Sequence, residues 1–140
     1  MGMKKIAALV FAYVLFIILA IVIIMQVNPL LKSPERIRSD MLKLTPLHSS
    51  MDEVLEVIYS KEKWEIKRVN YDNGYVNYDI LIPNTDPRYP LEYDHLVVGE
   101  QSIRAYLGKT WTFGQSVTVS WGFDENSRLI DVYVSKYLAI

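Results

Sequence analysis

No cysteine occurs anywhere in the 140 residues. That excludes a disulfide framework, a thiolate metal site, a cysteine nucleophile and lipidation of a cysteine. Histidine is almost as scarce: His48 and His95 are the only two, and no H-E-x-x-H or comparable spacing links them. The sequence therefore predicts no metal site and no cofactor. The six glycines include no G-x-S-x-G elbow, P-loop or dinucleotide-binding loop, and with those motifs go the common nucleophilic and nucleotide chemistries. There are no internal repeats and no low-complexity tracts. Positive charge is not in excess either. Residues 44–140 carry nine Lys or Arg against fourteen Asp or Glu, a balance of −5. Nucleic-acid binding needs a basic face, so an acidic domain of this kind excludes nucleic acid as the expected partner.

What the chain does have is one long apolar run. Ile6 to Met25 reads IAALVFAYVLFIILAIVIIM, twenty residues without a charge, an amide or a proline. As a helix it covers about 30 Å, the thickness of a bilayer's hydrocarbon core. A cleaved signal peptide has a shorter apolar region, of about 7–15 residues, and ends in small residues. Here the run continues IVIIMQVNPLL, with bulky side chains where a peptidase needs small ones. The expectation is a retained single-pass anchor in the cell membrane, embedded in the lipid bilayer through residues 6–28. Lys4 and Lys5 precede the run, which assigns residues 1–5 to a cytoplasmic tail and the C-terminal domain to the extracytoplasmic side. Lys32, Arg36, Arg38 and Lys43 come after it, against Glu35 and Asp40, a mildly basic collar suited to anionic headgroups.

Residues 29–44 read as a juxtamembrane connector. Asn28-Pro29 stops the first helix, since the residue before proline is pushed out of the α region. Ser33-Pro34 then restarts one, with a hydroxyl N-cap and proline at the first helical position. Ile37, Met41 and Leu44 fall at helical spacing, which predicts a short helix packed on the domain.

The remaining 45–140 read as one α+β domain, with one or two short helices packed on an antiparallel sheet of three to five strands. Ser50-Met51-Asp52-Glu53 matches a capping box, and Met51, Val54, Leu55 and Ile58 mark one apolar face. His48 is expected outside any site, close to the helix N-cap. From Trp64 the period becomes two. Residues 64–69 read as an edge strand, Asp72-Asn73-Gly74 as a tight turn, and YVNYDILI as the strand returning beside it. Ile103, Ala105 and Leu107 form one apolar phase, Val117, Val119, Trp121 and Phe123 a second, and Ile130, Val132 and Val134 a third. Asp124 to Ser127 is a hairpin loop in which Asn126 is expected to take the left-handed position. Trp111, in GKTWTFG, is expected in a loop. Pro83 to Gly99 has three of the six prolines and no period, and long segments of that kind are often binding or lid elements.

The order of a membrane anchor, the capped helix "SMDEV" with Met51, Asp52 and Val54, and the hairpin "WGFDENSRLIDVYV" resembles the BamE-like (SmpA/OmlA) family of small envelope proteins. The resemblance implies short helices on a three-stranded sheet and an accessory, non-enzymatic role in membrane-protein assembly. This chain departs from it in three ways: it lacks a lipid-bearing cysteine, has Ser50 where the family has glycine, and adds the Pro83–Gly99 insertion. The phrase "TPLHSSMDEVLEVI" is also similar to small membrane-anchored proteins of Gram-positive bacteria.

Tyrosine carries the functional signal. Five of the ten tyrosines lie between residues 71 and 93, interleaved with acidic residues. Tyrosine offers rigid contact area with a polar tip, suited to a protein or glycan partner of the envelope. The residues expected to bind are Tyr75, Tyr78, Asp86, Tyr89, Tyr93 and Asp94. The reading is a binding or accessory module rather than an enzyme. Two alternatives use the same residues differently: a small anchored hydrolase working through loop carboxylates or His95, and a cytoplasmic-facing immunity protein. Alternate tyrosines that merely cover a sheet would have the same composition.

Overall fold

The computed structural model describes residues 2–89, 92–110 and 114–138. Trp111 lies outside these. Helix α1 spans Met3–Val27, and its stretch Met3–Ile24 is long and apolar enough to cross a membrane, with none of it buried in the rest of the protein. It ends at Asn28, whose side chain accepts from the Leu30 amide and starts a 3-10 turn, Pro29–Leu31. Helix α2, Pro34–Leu44, begins as its sequence dictates: the Ser33 hydroxyl accepts from the Arg36 amide and Pro34 occupies the first position. Ile37 and Met41 are buried, whereas Leu44, on the expected face, is exposed. Helix α3, Met51–Tyr59, is capped by the Ser50 hydroxyl, which accepts from the Glu53 amide at 3.1 Å. Met51, Val54 and Ile58 are buried and Leu55 packs at the margin.

Six strands come next: β1 Glu65–Asn70, β2 Tyr75–Pro83, β3 Tyr93–Val98, β4 Gln101–Lys109, β5 Gln115–Phe123 and β6 Leu129–Leu138. They form a four-stranded antiparallel sheet in the order β1-β4-β5-β6 and a separate two-stranded ribbon, β2-β3. The architecture is the expected α+β class. The four-stranded sheet exceeds the three strands that the BamE-like resemblance implies.

Three expectations are corrected. The first concerns β1, which does not pair with YVNYDILI across the Asp72-Asn73-Gly74 turn. It pairs with β4, and the turn throws β2 onto the opposite face of the sheet. The Asn70 carboxamide accepts from the Asp72 and Asn73 amides, and the Ser102 hydroxyl donates to the Asn73 carbonyl, fixing the turn against β4. The second is that Pro83 to Gly99 is not all loop, since β3 lies within it. The third is the start of β6, whose Val132 and Val134 are buried as expected. Leu129 is fully buried and Ile130 is exposed, because a bulge at Gly122/Phe123 shifts the register before Phe123 meets Leu129. A bulge adds a residue to one strand and so reverses the facing of the residues beyond it. In the same hairpin Ser127, not Asn126, takes positive φ.

The core lies between the helices and one face of the four-stranded sheet. Ile103, Ala105, Val117, Val119, Trp121 and Val132 meet Ile37, Met41, Val54 and Ile58 there. Trp121 is wholly buried, and its indole N–H donates to the Thr45 hydroxyl at 3.0 Å, which in turn donates to the Met41 carbonyl. A buried donor left unpaired costs about 1–3 kcal/mol, so this chain of two bonds ties the end of α2 to the centre of the sheet. The ribbon crosses the other face. That makes three layers: helices, sheet and ribbon.

Candidate functional site

The face of the sheet turned away from the helices is polar. Cross-strand register lines up Arg68, Arg104, Ser120 and Tyr133 in one row. A second row runs Glu65, Tyr106, Thr118 and Ser135, and a third Asn70, Ser102, Gly122 and Asp131. The root of the ribbon lies over this face. Tyr75 packs on Gly122 so closely that an added Cβ there would sit 2.8 Å from its ring, and a Cβ at Gly74 would meet the Val98 carbonyl oxygen at 2.0 Å. The two glycines are the seat of the ribbon, and Tyr75 stacks nearly parallel to Tyr133 with centroids 6.0 Å apart. Between ribbon and sheet remains a cleft of about 180 Å³, walled by Tyr75, Tyr78 and Tyr133 and floored by Arg68, Arg104, Thr118 and Ser120.

Two groups here are electrostatically unusual. The Tyr75 hydroxyl is buried with no hydrogen-bond partner among the described residues, and burial, reinforced by the Asp131 carboxylate, pushes its phenol above its ordinary value. The Tyr133 phenol is also raised, by burial and by the Asp79 carboxylate beside it. Asp131 itself is engaged by the Arg38 guanidinium from α2. No Asp, Glu or His is among the described residues that line the cleft.

The six residues expected to bind do not form one site. Tyr75 and Tyr78 line the cleft, Tyr75 buried and Tyr78 64% exposed. Tyr78 meets His95 edge to face, with centroids 5.0 Å apart. Tyr93 and Asp94 open β3, paired with Pro83 and Ile82. Asp86 and Tyr89 sit on the turn joining the two strands of the ribbon. There the Asp86 carboxylate accepts from the Arg88 amide and pairs with its guanidinium at 2.7 Å. Those Arg88 hydrogen bonds hold its carboxyl below the usual range, and the Arg88 guanidinium lies over the Tyr89 ring. Asp86 is thus a turn-former satisfied by its neighbour. His48 is exposed at positive φ, its amide donating to the Leu129 carbonyl. Among the described residues, no three of His, Asp or Glu converge as a metal site would require.

Sequence reasoning missed Arg68, Arg104, Thr118, Ser120 and Ser135. Arg104, Thr118, Ser120 and Ser135 occupy the strand phases opposite the apolar ones, and Arg68, in phase with Trp64 and Ile66 in the sequence, is turned to this face by the bulge between Ile66 and Arg68. A signal was present: the outward phase of β5 reads Ser116, Thr118, Ser120, short hydroxyls without the Lys and Glu of an ordinary wet face.

Beyond its root the ribbon is bare. Tyr78, Leu81, Ile82, Tyr89, Tyr93 and Val97 are exposed along it. No protein-family model, curated protein or solved structure matches the chain.

Proposed function

We propose that the protein is a single-span, membrane-anchored binding module of the cell envelope, non-enzymatic, with its α+β domain on the extracytoplasmic side. The ribbon β2-β3 engages a protein or glycan partner. The observation that carries this reading is the ribbon itself. A soluble domain seldom leaves aromatic and branched aliphatic side chains contiguous in water, and such surfaces mark interaction sites. Here Leu81, Ile82 and Tyr93 on the strands and Tyr89 on the connecting turn are exposed, on the part of the ribbon beyond the contacts that Tyr75, Tyr78 and Asp79 make with the sheet. An accessory part in membrane-protein assembly is the form of this role that the BamE-like resemblance suggests. The hydrolase reading has less support, since the carboxylates and His95 on which it relies stand on the ribbon or in ion pairs rather than in the cleft.

The test is crosslinking in cells with the full chain. Replacing Tyr78, Tyr89 and Tyr93 together by alanine should abolish the crosslinked partner band while leaving the circular dichroism spectrum unchanged. Tyr75 is left intact because it is buried under the ribbon. An undiminished band with the triple variant overturns the reading. A reporter active only outside the cytoplasm, fused to the C-terminus, tests the orientation.

A further inference from the structure

The cleft beneath the ribbon contains a pairing that ordinary sheet packing avoids. Arg68 and Arg104 are direct cross-strand neighbours on β1 and β4. Like charges placed opposite one another on one face of a sheet destabilise it. Both side chains line the cleft, and neither joins an ion pair among the described residues, where the four pairs use Lys32, Arg38, Lys67 and Arg88. The scarcity of partners is not compositional, because this domain has more carboxylates than cations. Of the acids on that side, Asp79 faces Tyr133, Asp131 is held by Arg38, and Glu65, opposite Tyr106, is paired with Lys67. Two permanently charged guanidiniums have been kept side by side and unneutralised in an otherwise acidic domain.

The surroundings define what would neutralise them. Thr118, Ser120 and Ser135 present hydroxyls along the same floor, and Tyr75, Tyr78 and Tyr133 supply flat walls. Guanidinium forks match the oxygen spacing of carboxylate and phosphate and bind them through paired N–H donors. At about 30 Å³ per water, a cleft of 180 Å³ holds roughly six waters. That is room for an anionic group and the carbon bearing it.

We propose that this cleft is an oxyanion-binding site, in which Arg68 and Arg104 together clamp a phosphate or carboxylate group and the hydroxyls of Thr118 and Ser120 complete its hydrogen bonding. The group belongs either to a soluble molecule or to a lipid headgroup, the chemistry at the arginines being the same. The site is distinct from the outer surface of the ribbon and does not depend on a partner binding there.

The experiment uses the full chain in phosphatidylcholine nanodiscs, with the arginine Nε–H resonances followed by NMR. Inorganic phosphate, or acetate in a parallel titration, should shift the Arg68 and Arg104 resonances saturably, whereas chloride at equal ionic strength should not. Arg104→Gln should weaken binding at least 10-fold. Arg104→Lys, which keeps the charge and loses the fork, should weaken it less. Saturation by neither anion, an identical response to chloride, or unchanged affinity in a folded Arg104→Gln variant overturns the proposal. Adding phosphatidylglycerol to the discs separates the sources. A fall in apparent phosphate affinity there identifies the lipid headgroup as occupant, and an unchanged affinity identifies a soluble anion. A second variant, Tyr89→Ala with Tyr93→Ala, keeps every cleft wall; it should lose the crosslinked partner without altering this titration, so the two readings fail separately.

Discussion

Trp121 and Tyr75 are both buried aromatic residues with a polar atom, and the fold treats them in opposite ways. The indole N–H of Trp121 is given the Thr45 hydroxyl, whereas the Tyr75 hydroxyl has no partner among the described residues. An unsatisfied buried hydroxyl costs about 1–3 kcal/mol, and removing it can be neutral or stabilising. Tyr75→Phe should therefore raise the unfolding free energy of the domain by about 1 kcal/mol, read as a higher urea midpoint. Tryptophan fluorescence is a suitable probe, since all three tryptophans lie outside α1. The effect should depend on pH. Burial first, and then the Asp131 carboxylate, raise the folded-state phenol above its ordinary value near 10. Below that value both states are protonated and the stability contribution is complete. As pH rises through it the unfolded chain ionises while the folded one resists, and stability falls. The wild type should lose stability above about pH 10 faster than Tyr75→Phe, so the gap between their midpoints should widen with alkalinity. A constant gap would show that the phenol ionises equally in both states.

At the scale of elements, the ribbon is seated by an absence of side chain. Gly122 lies under the Tyr75 ring, with the Val98 carbonyl oxygen 3.0 Å from where a Cβ would be. Gly122→Ala should lift the ribbon's root, at a cost of about 1–3 kcal/mol for overpacking. Amide exchange should accelerate across β2 and β3 while β4, β5 and β6 keep their protection. Uniform acceleration would mean that sheet and ribbon are one cooperative unit. The elements that could be read from sequence are those with one wet and one dry side. Helix α3 shows this in Met51, Val54 and Ile58, and β4 and β5 show it in their alternation. The ribbon has no such signature because Leu81, Ile82 and Tyr93 all face water, leaving no period with which to find β3. Nor could local pattern show that Arg68 meets Arg104. Their meeting depends on a pairing 36 residues apart and on a bulge between Ile66 and Arg68 that brings Arg68 onto the cleft face. Tyr75 and Tyr78 were visible as tyrosines, and their place over a cationic floor was not.

For the molecule as a whole, the join between α1 and the domain is short and fastened. Asn28 alone separates the helix from the 3-10 turn. Leu30 of that turn packs against the core cluster. The Lys136 ammonium on β6 donates to the carbonyls of Leu30, at 2.7 Å, and Lys32, while Lys32 pairs with Asp40 at 2.8 Å. Lys136→Met should leave those carbonyls without their charged donor, with a loss of about 1–3 kcal/mol. Faster amide exchange at residues 30–33 with little change in the sheet is the expected result, and unaltered exchange would show that Leu30 alone holds the turn. The fastening also determines which ligands the protein can meet. A flexible chain the length of residues 29–44 would let a domain roam about 20–24 Å from its anchor. In the anchored topology proposed above that reach is shortened, because the turn after α1 is fastened to β6 rather than free. With that topology, the effective concentration of the proposed site would be high for a group displayed near its height in the same membrane and low for one displayed well above it. Selectivity between otherwise identical anions can thus arise from altitude alone.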